Sequence, residues 1–199
     1  MSKLLREYVS LKYDQNLIRE IIEKREPIVV SALLQRADAK NQNGRIYPRP
    51  ILEREVENYM KAVREGRATG ECDHPENSVV ALQNVSHIIR DIWWKGDEVW
   101  GKVEILNTPK GKIIKDLMEA GVQLGISSRG VGETKRTNEG YDEVDESFML
   151  IAFDLVSEPS TDNAWLMKEA KEISVDMIRK SVSKVDRCNR IVNEILKGK

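Results

Sequence analysis

Residues 85–106 read VSHIIRDIWWKGDEVWGKVEIL, and the fold prediction starts from this stretch. Two runs rich in β-branched and aromatic residues, 85–94 and 99–106, flank the turn residues Lys95-Gly-Asp-Glu98. Such runs on either side of a short turn that contains glycine are typical of two antiparallel strands. The stretch therefore predicts a β-hairpin.

Strands and helices alternate on both sides of this hairpin. Short apolar runs predict strands at 28–34 and 148–156, and the run 124–132 predicts a strand that enters a glycine-rich turn. Helices are predicted from Pro50 to about Arg64 and from the cap Thr108-Pro109 to Gly121. The mixture predicts an α+β fold, with a mainly antiparallel sheet or barrel core surrounded by helices.

The two ends of the chain differ from the middle. Apolar residues between Leu4 and Ile22 recur at helical spacing, which predicts an N-terminal helical segment over residues 1–27 that ends before Pro27. The main domain is predicted over residues 28–168. Helical spacing in residues 169–199 predicts a C-terminal helical tail that packs on the domain or binds a partner.

Composition excludes several classes of partner. Of 199 residues, 40% are hydrophobic and 33% charged, and 32 basic against 33 acidic residues give a net charge of -1. A chain so close to neutrality lacks the positive field that holds nucleic acid or anionic lipid, and its apolar runs are too short to span a bilayer. Two distant cysteines, Cys72 and Cys188, form no disulfide framework, so we expect a reducing cytoplasm.

Histidine is the residue type that narrows the search for a catalytic base, because the chain has only two. His87 lies in a strand pattern and is interpreted as a structural or surface histidine. His74 lies in the predicted loop Gly70-Glu-Cys-Asp-His-Pro75, and loops on a rigid scaffold often carry catalytic groups. His74 is therefore the candidate base, although by itself it is equally consistent with an incidental histidine.

A serine pair follows an apolar strand in Ser127-Ser128-Arg129-Gly130. A serine at the entrance to a glycine-containing turn presents its hydroxyl while nearby backbone N–H groups face the same space. Arg129 is then a candidate for holding a substrate or a water near the oxyanion. The alternative is an ordinary polar turn.

Asp154 interrupts the apolar strand Leu150-Ile-Ala-Phe-Asp-Leu-Val156. A buried carboxylate needs a hydrogen-bond or ionic partner, and orienting a catalytic imidazole is one such role. The alternatives are that Asp154 lies on a solvent face of the strand, or that Asp73 takes this role by its proximity to His74.

A metal site is the other chemistry that this region suggests. Four consecutive residues from Glu71 to His74 have side chains that bind metals. No second cluster of cysteine and histidine completes a closed zinc site, so a metal-dependent hydrolase built on Cys72, Asp73 and His74 is the weaker interpretation.

Several motifs resemble, in their order, the prohead core proteases of tailed phages, a family similar in fold to the herpesvirus assemblins. Four stretches carry the resemblance, which runs from about Ile28 to Trp165: Asn43-Gly-Arg-Ile-Tyr-Pro48, Gly70-Glu-Cys-Asp-His-Pro75, Asp91-Ile-Trp-Trp-Lys-Gly96 and Gly125-Ile-Ser-Ser-Arg-Gly-Val-Gly132. Asn138-Glu-Gly-Tyr141 and the strand of Asp154 continue the order.

The resemblance implies a serine endopeptidase in residues 28–168, with Ser127 as nucleophile, His74 as general base and Asp154 as the acid that orients it. Ser128, Arg129 and Gly130 are expected to contribute to oxyanion or substrate binding. No cofactor is expected.

The same resemblance implies protein partners. The expected substrates are scaffold or core proteins, the major capsid protein precursor and the protease itself, cleaved inside the prohead in the host cytoplasm. We expect a homo-oligomer that binds neither nucleic acid nor membrane, with a C-terminal tail that docks into scaffold or is trimmed. The alternative is a non-enzymatic scaffold or core protein.

Overall fold

The computed structural model of the chain describes residues 3–73 and 79–157. Two features predicted from the sequence lie outside the described residues, namely His74 and the C-terminal tail 169–199. Within the described ranges, no helix is long and apolar enough to cross a membrane.

The described elements form an α+β fold of mostly antiparallel sheets with three α-helices. The strands are β1 Lys3–Ser10, β2 Val29–Arg36, β3 Arg45–Ile46, β4 Thr69–Glu71, β5 Val85–Lys95, β6 Glu98–Ile105, β7 Leu124–Gly132, β8 Thr134–Arg136, β9 Asp142–Val144 and β10 Met149–Ser157. The α-helices are α1 Gln15–Glu23, α2 Arg49–Arg64 and α3 Pro109–Ala120.

Two larger sheets meet at one edge. The first has the order β1-β7-β10 and the second β2-β6-β5-β4, while β3-β9-β8 form a small third sheet. Just after β4, Cys72 forms a parallel bridge with Leu155 of β10, and the backbone N–H of Asp73 donates to the carbonyl of Leu155 at 2.8 Å. The chain that follows β4 is therefore fixed beside the C-terminal half of β10.

Elements with strong local signals form where they were predicted. β5 and β6 pair as the hairpin, and Gly96 takes the positive φ of 60° that the turn requires. At the start of α3 the hydroxyl of Thr108 accepts from the N–H of Gly111, and Gly121 ends this helix with a φ of 80°. These confirmed elements rest on caps and turns that are encoded within a few residues.

The N-terminal prediction is wrong in its first half. Residues Lys3–Ser10 form strand β1 and pair along their whole length with β7, whereas helix α1 begins only after its cap, Asp14. Apolar residues spaced as in a helix also suit a strand that is covered on both faces, and Leu4 and Leu5 are both buried. β1 therefore belongs to the first sheet and not to a helical appendage.

Strand β7 runs straight through the predicted glycine-rich turn as far as Gly132. The glycines serve close packing, because a Cβ on Gly130 would lie 2.3 Å from Cε2 of Phe148 and one on Gly132 would lie 2.8 Å from its Cα. A residue with a side chain would displace the Phe148 ring, so glycine here marks the approach of another segment.

Alternation along β7 and β10 defines two faces of the first sheet. Ile126, Phe153 and Leu155 point into the main hydrophobic core, together with Leu5 of β1. Because successive side chains of a strand point to opposite faces, Ser127 and Asp154 share the other face. We call this second face the Ser127 face.

Candidate active site

The pairing of β7 with β10 places Ser127 directly opposite Asp154. Residues that face each other on neighbouring antiparallel strands have Cβ atoms about 4.5–5.5 Å apart. Arg129 lies two residues along β7 and therefore on the same face. Thus two of the three residues predicted for catalysis, Ser127 and Asp154, are neighbours across the sheet.

The hydroxyl of Ser127 is buried, and among the described residues it has no hydrogen-bond partner. A buried hydroxyl without a partner is uncommon because its desolvation is not compensated. The neighbouring Ser128 differs, since its oxygen accepts from Nε2 of Gln35 at 2.9 Å on the opposite face. In the part of the chain that the structure describes, Ser127 is thus the serine of the pair whose hydroxyl is not already hydrogen-bonded.

Asp154 is fully buried and its carboxylate is held from two sides. Nε and Nη2 of Arg129 donate to its two oxygens at 2.8 and 3.1 Å, and the backbone N–H of Glu71 donates to Oδ1 at 3.1 Å. A two-pronged guanidinium–carboxylate pair fixes orientation as well as charge. The alternative of Asp154 on a solvent face is therefore wrong.

Arg129 is fully buried between two acidic side chains. Besides Asp154, its Nη2 lies 3.5 Å from Oε1 of Glu71. A guanidinium committed to buried carboxylates is not presented to a substrate, and this contradicts the predicted role of Arg129 in oxyanion or substrate binding.

The two other positions assigned to that role also face elsewhere. Ser128 lies on the opposite face, and Gly130 packs against Phe148. β7 is moreover hydrogen-bonded to β1 on one side and β10 on the other, because it is the central strand of its sheet. A turn with free N–H groups at Ser127-Gly130 is therefore not formed.

The described chain before His74 ends at Asp73, beside Asp154. We call residues 74–80, which contain His74, the histidine loop, after the loop that the sequence predicts there. Asp73 has a φ of 68°, and its N–H is bonded to the carbonyl of Leu155, one residue beyond Asp154. The side chain of Asp73 is exposed, whereas that of Asp154 is buried next to Ser127. The geometry therefore favours Asp154 over Asp73 as the acidic member of the site.

His87 is buried, and both of its ring nitrogens are hydrogen-bonded. Nε2 lies 2.9 Å from the carbonyl of Phe153, so it donates, and Nδ1 lies 2.9 Å from the hydroxyl of Ser86, from which it accepts. Burial lowers the pKa of His87 to about 4. With both nitrogens occupied and a low pKa, His87 is a structural histidine and not a proton acceptor for Ser127.

Glu71 and Cys72, at the end of β4 and just after it, are two of the residues that were considered as metal ligands. The carboxylate of Glu71 accepts from the N–H of Ala81 at 2.6 Å, and burial raises the pKa of the Cys72 thiol. No group of three or more histidine, cysteine, aspartate or glutamate side chains within residues 3–73 and 79–157 is arranged to hold a metal ion.

A family model described as prohead core protein serine protease matches residues 20–176. The chain belongs to this family. It is 33% identical over 175 residues to the prohead core protein protease of Enterobacteria phage T4, an alignment that covers 85% of this chain and 81% of that protein. A solved structure of the bacteriophage T4 capsid assembly protease matches with a TM-score of 0.68 and 29% identity, covering 79% of this chain and 99% of that one.

These similarities establish a peptidase of the prohead core type. The alternative of a non-enzymatic scaffold or core protein is therefore set aside. The match to the solved protease also confirms the predicted α+β fold. The likeness to herpesvirus assemblins remains a prediction.

Proposed function

We propose that the chain is a serine endopeptidase in which Ser127 is the nucleophile, His74 the general base and Asp154 the acid that orients the base. The observation that carries this assignment is the hydroxyl of Ser127, which has no hydrogen-bond partner within residues 3–73 and 79–157 and lies opposite the buried carboxylate of Asp154. A nucleophilic serine needs an adjacent base, and the base needs an anion that fixes its orientation. Family membership supports the serine chemistry.

The reaction proceeds through an acyl-enzyme. The Ser127 proton passes to the imidazole of His74 as the serine oxygen forms a bond to the scissile carbonyl carbon. The tetrahedral intermediate collapses, the C–N bond breaks and the imidazolium returns the proton to the leaving amine. Water then repeats these steps on the ester and frees Ser127.

In this mechanism Arg129 acts on the charge and the orientation of the Asp154 carboxylate. The guanidinium offsets the charge of the buried carboxylate and donates to both of its oxygens, which favours the ionised form of Asp154. A fixed anion stabilises the imidazolium that forms when His74 accepts the proton. Arg129 therefore acts through Asp154 and not on the substrate.

The substrates we propose are the scaffold or core proteins, the capsid precursor and the protease chain itself, cleaved inside the prohead in the host cytoplasm. The T4 relatives, named as a prohead core protein protease and a capsid assembly protease, support this substrate class. We further propose a homo-oligomer that acts on protein and binds neither nucleic acid nor membrane, in agreement with a net charge of -1.

The decisive experiment compares Ser127→Ala with Ser128→Ala, because the two serines are adjacent, buried and chemically identical. Cleavage of a co-assembled scaffold protein is followed by intact mass over time. We expect Ser127→Ala to lower the rate by about 10⁴-fold or more. Ser128→Ala should retain activity, since it removes only the acceptor for Gln35.

Two results would overturn the assignment. If Ser127→Ala cleaves at a rate close to wild type, Ser127 is not the nucleophile. If Ser128→Ala abolishes cleavage while Ser127→Ala does not, the roles of the two serines are reversed.

A further inference from the structure

Glu71, the last residue of β4, is a fully buried acid that the proposed mechanism does not use. It makes polar contacts in two directions, towards the end of the histidine loop and towards the Ser127 face. A carboxylate is strongly disfavoured in a buried site unless its oxygens are hydrogen-bonded or paired with a cation. The contacts of the Glu71 carboxylate therefore indicate the role of this residue.

In the first direction, Glu71 closes the base of the histidine loop. Oε1 accepts from the N–H of Ala81 at 2.6 Å, and Oε2 accepts from Nδ2 of Asn84 at 3.4 Å. The N–H of Cys72 donates to the carbonyl of Asn84 at 3.0 Å. The residues on either side of the loop are thus joined through one side chain and one backbone bond.

In the second direction, Glu71 is tied to the pair that flanks Ser127. Its own N–H donates to Oδ1 of Asp154 at 3.1 Å, and its Oε1 lies 3.5 Å from Nη2 of Arg129. Main chain and side chain of the same residue thus contact both members of the ion pair. A displacement of Glu71 would move the base of the loop and the Asp154 carboxylate relative to each other.

We propose that Glu71 is a positioning residue for the hydrolytic reaction, which sets the base of the histidine loop against Asp154 and the strand of Ser127. This inference rests on the proposed function, because a positioning role for Glu71 presupposes the catalytic roles proposed for His74 and Ser127. A misplacement of a catalytic group by 1 Å lowers a rate by about 10²-fold. Glu71 therefore contributes to the rate of each active site without touching the substrate.

Glu55 of α2 provides a matched control. It is also buried, and its Oε2 accepts from the N–H of Leu150, at the other end of β10, at 2.9 Å. Its Oε1 accepts from Nε of Arg54 at 2.9 Å. Glu55→Gln therefore makes the same chemical change to a buried acid that is bound to the same strand, away from Ser127.

The test measures the reaction of the full chain with a small fluorophosphonate probe and, in parallel, cleavage of a scaffold substrate. The serine oxygen attacks phosphorus, the P–F bond breaks, fluoride leaves and the hydroxyl proton passes to the base. The endpoint of labelling counts competent sites, and the rate constant reports how fast each site reacts. A purely structural role lowers the first quantity and leaves the second unchanged.

We expect Glu71→Gln to lower the labelling rate constant and the kcat for substrate by about 10- to 100-fold, with KM changed less than threefold. Glu55→Gln should keep both rates within threefold of wild type. Glu71→Asp retains the charge but withdraws the carboxylate, so we expect a smaller loss of rate. This variant is used if Glu71→Gln does not fold.

The inference is overturned if the Glu71 variants lose labelled sites but keep the wild-type rate per site, or if they match Glu55→Gln. Failure of the proposed function gives different results. In that case Ser127→Ala is still labelled, or the wild type stays unlabelled both free and assembled in particles.

Discussion

Strand β7 separates two buried ion networks that use similar residues on opposite faces of the sheet. The Asp154 network consists of Glu71, Arg129 and Asp154 and lies on the Ser127 face. The Glu7 network consists of Glu7, Asn43, Arg45 and Tyr47. Glu7 is paired with Ser128 in the register of β1 and β7, whereas Tyr8 is paired with Ser127. Glu7 and Tyr8, which are adjacent in β1, thus lie on opposite faces of the sheet.

The Glu7 network has donors on both carboxylate oxygens. Nη1 of Arg45 and the hydroxyl of Tyr47 donate to Oε1 at 3.0 and 2.9 Å, and Nδ2 of Asn43 donates to Oε2 at 2.9 Å. Three residues of the motif Asn43-Gly-Arg-Ile-Tyr-Pro48 therefore bind one buried acid of β1. The motif ties its loop to the edge strand of the sheet.

The two networks differ in the serine that lies beside each of them. Ser128, opposite Glu7, has its hydroxyl bonded to Gln35, whereas Ser127, opposite Asp154, has no partner for its hydroxyl within the described residues. Burial and an arginine partner are common to both sites and do not identify a function. The feature that separates them is the hydroxyl of Ser127, whose burial is not compensated by a hydrogen bond from any residue that the structure describes, and the proposed role of Ser127 as nucleophile rests on it.

The largest difference between the two networks is expected when the cation is removed from each of them. Arg129→Met removes the cationic donor beside two buried acids, and Arg45→Met removes the one beside a single buried acid. Each should lower the free energy of unfolding by about 3–5 kcal/mol, measured by urea denaturation. Only Arg129→Met should also lower the cleavage rate per competent site, by about 100-fold or more, because in the proposed mechanism only Asp154 orients a catalytic group.

Counting competent sites with a fluorophosphonate separates the two effects, since unfolded protein is not labelled. If Arg45→Met also lowers the rate per site, the distinction between the networks fails. If Arg129→Met keeps the wild-type rate per site, Asp154 does not need its cation for catalysis.

Sequence reasoning succeeded where the structural signal is local. The hairpin at 85–106 and helix α3 depend on a turn, a cap and a C-terminal glycine, all within a few residues of the element that they bound. Ser127 and Asp154 stand out in the sequence as polar residues inside apolar strands, and the register of β7 and β10 places them opposite each other, while their catalytic roles remain predictions.

Sequence reasoning failed where the partner of a residue is distant along the chain. The role of Arg129 depends on an acid 25 positions away, and that of Gly130 depends on the ring of Phe148. β1 was mistaken for helix because the helical spacing of its apolar residues also fits a strand covered on both faces. Glu71 was considered only as a metal ligand, although an acid inside a strand pattern next to the histidine loop could have suggested a buried partner.

A second prediction sharpens the description of the Asp154 side, where His87 donates to the carbonyl of Phe153. Its pKa is about 4 when folded against the ordinary value of 6.5, chiefly because of burial. Between these values the unfolded chain binds the proton and the folded protein does not, so stability present above pH 6.5 is lost as the pH falls. The loss should reach about 3 kcal/mol at pH 4, since each pH unit costs about 1.4 kcal/mol.

Urea denaturation of wild type and His87→Gln at several pH values checks this. The difference in the free energy of unfolding between the two proteins should shift by that amount between pH 6.5 and 4. A difference independent of pH would show that His87 has the same pKa in the folded protein as in the unfolded chain, so that below this pKa an additional buried positive charge would lie near Asp154.

The smallest effect is expected at Glu7, and it has the opposite sign. Burial raises the pKa of Glu7 above the ordinary 4.5, outweighing the charge of Arg45 and the hydrogen bonds from Asn43 and Tyr47. The folded protein then retains a proton that the unfolded chain has released, so the stabilising contribution is present below pH 4.5 and is lost as the pH rises through the raised pKa. The free energy of unfolding of wild type relative to Glu7→Gln should therefore fall as the pH rises from 4.5. Glu98→Gln is the control, because the pKa of the partly exposed Glu98 is lowered, first by the hydrogen bond from Trp100, and its difference should rise with pH. A rising difference for Glu7 as well would mean that the charge of Arg45 and the hydrogen bonds to Glu7 prevail over desolvation, and that the Glu7 network is built around an ionised carboxylate.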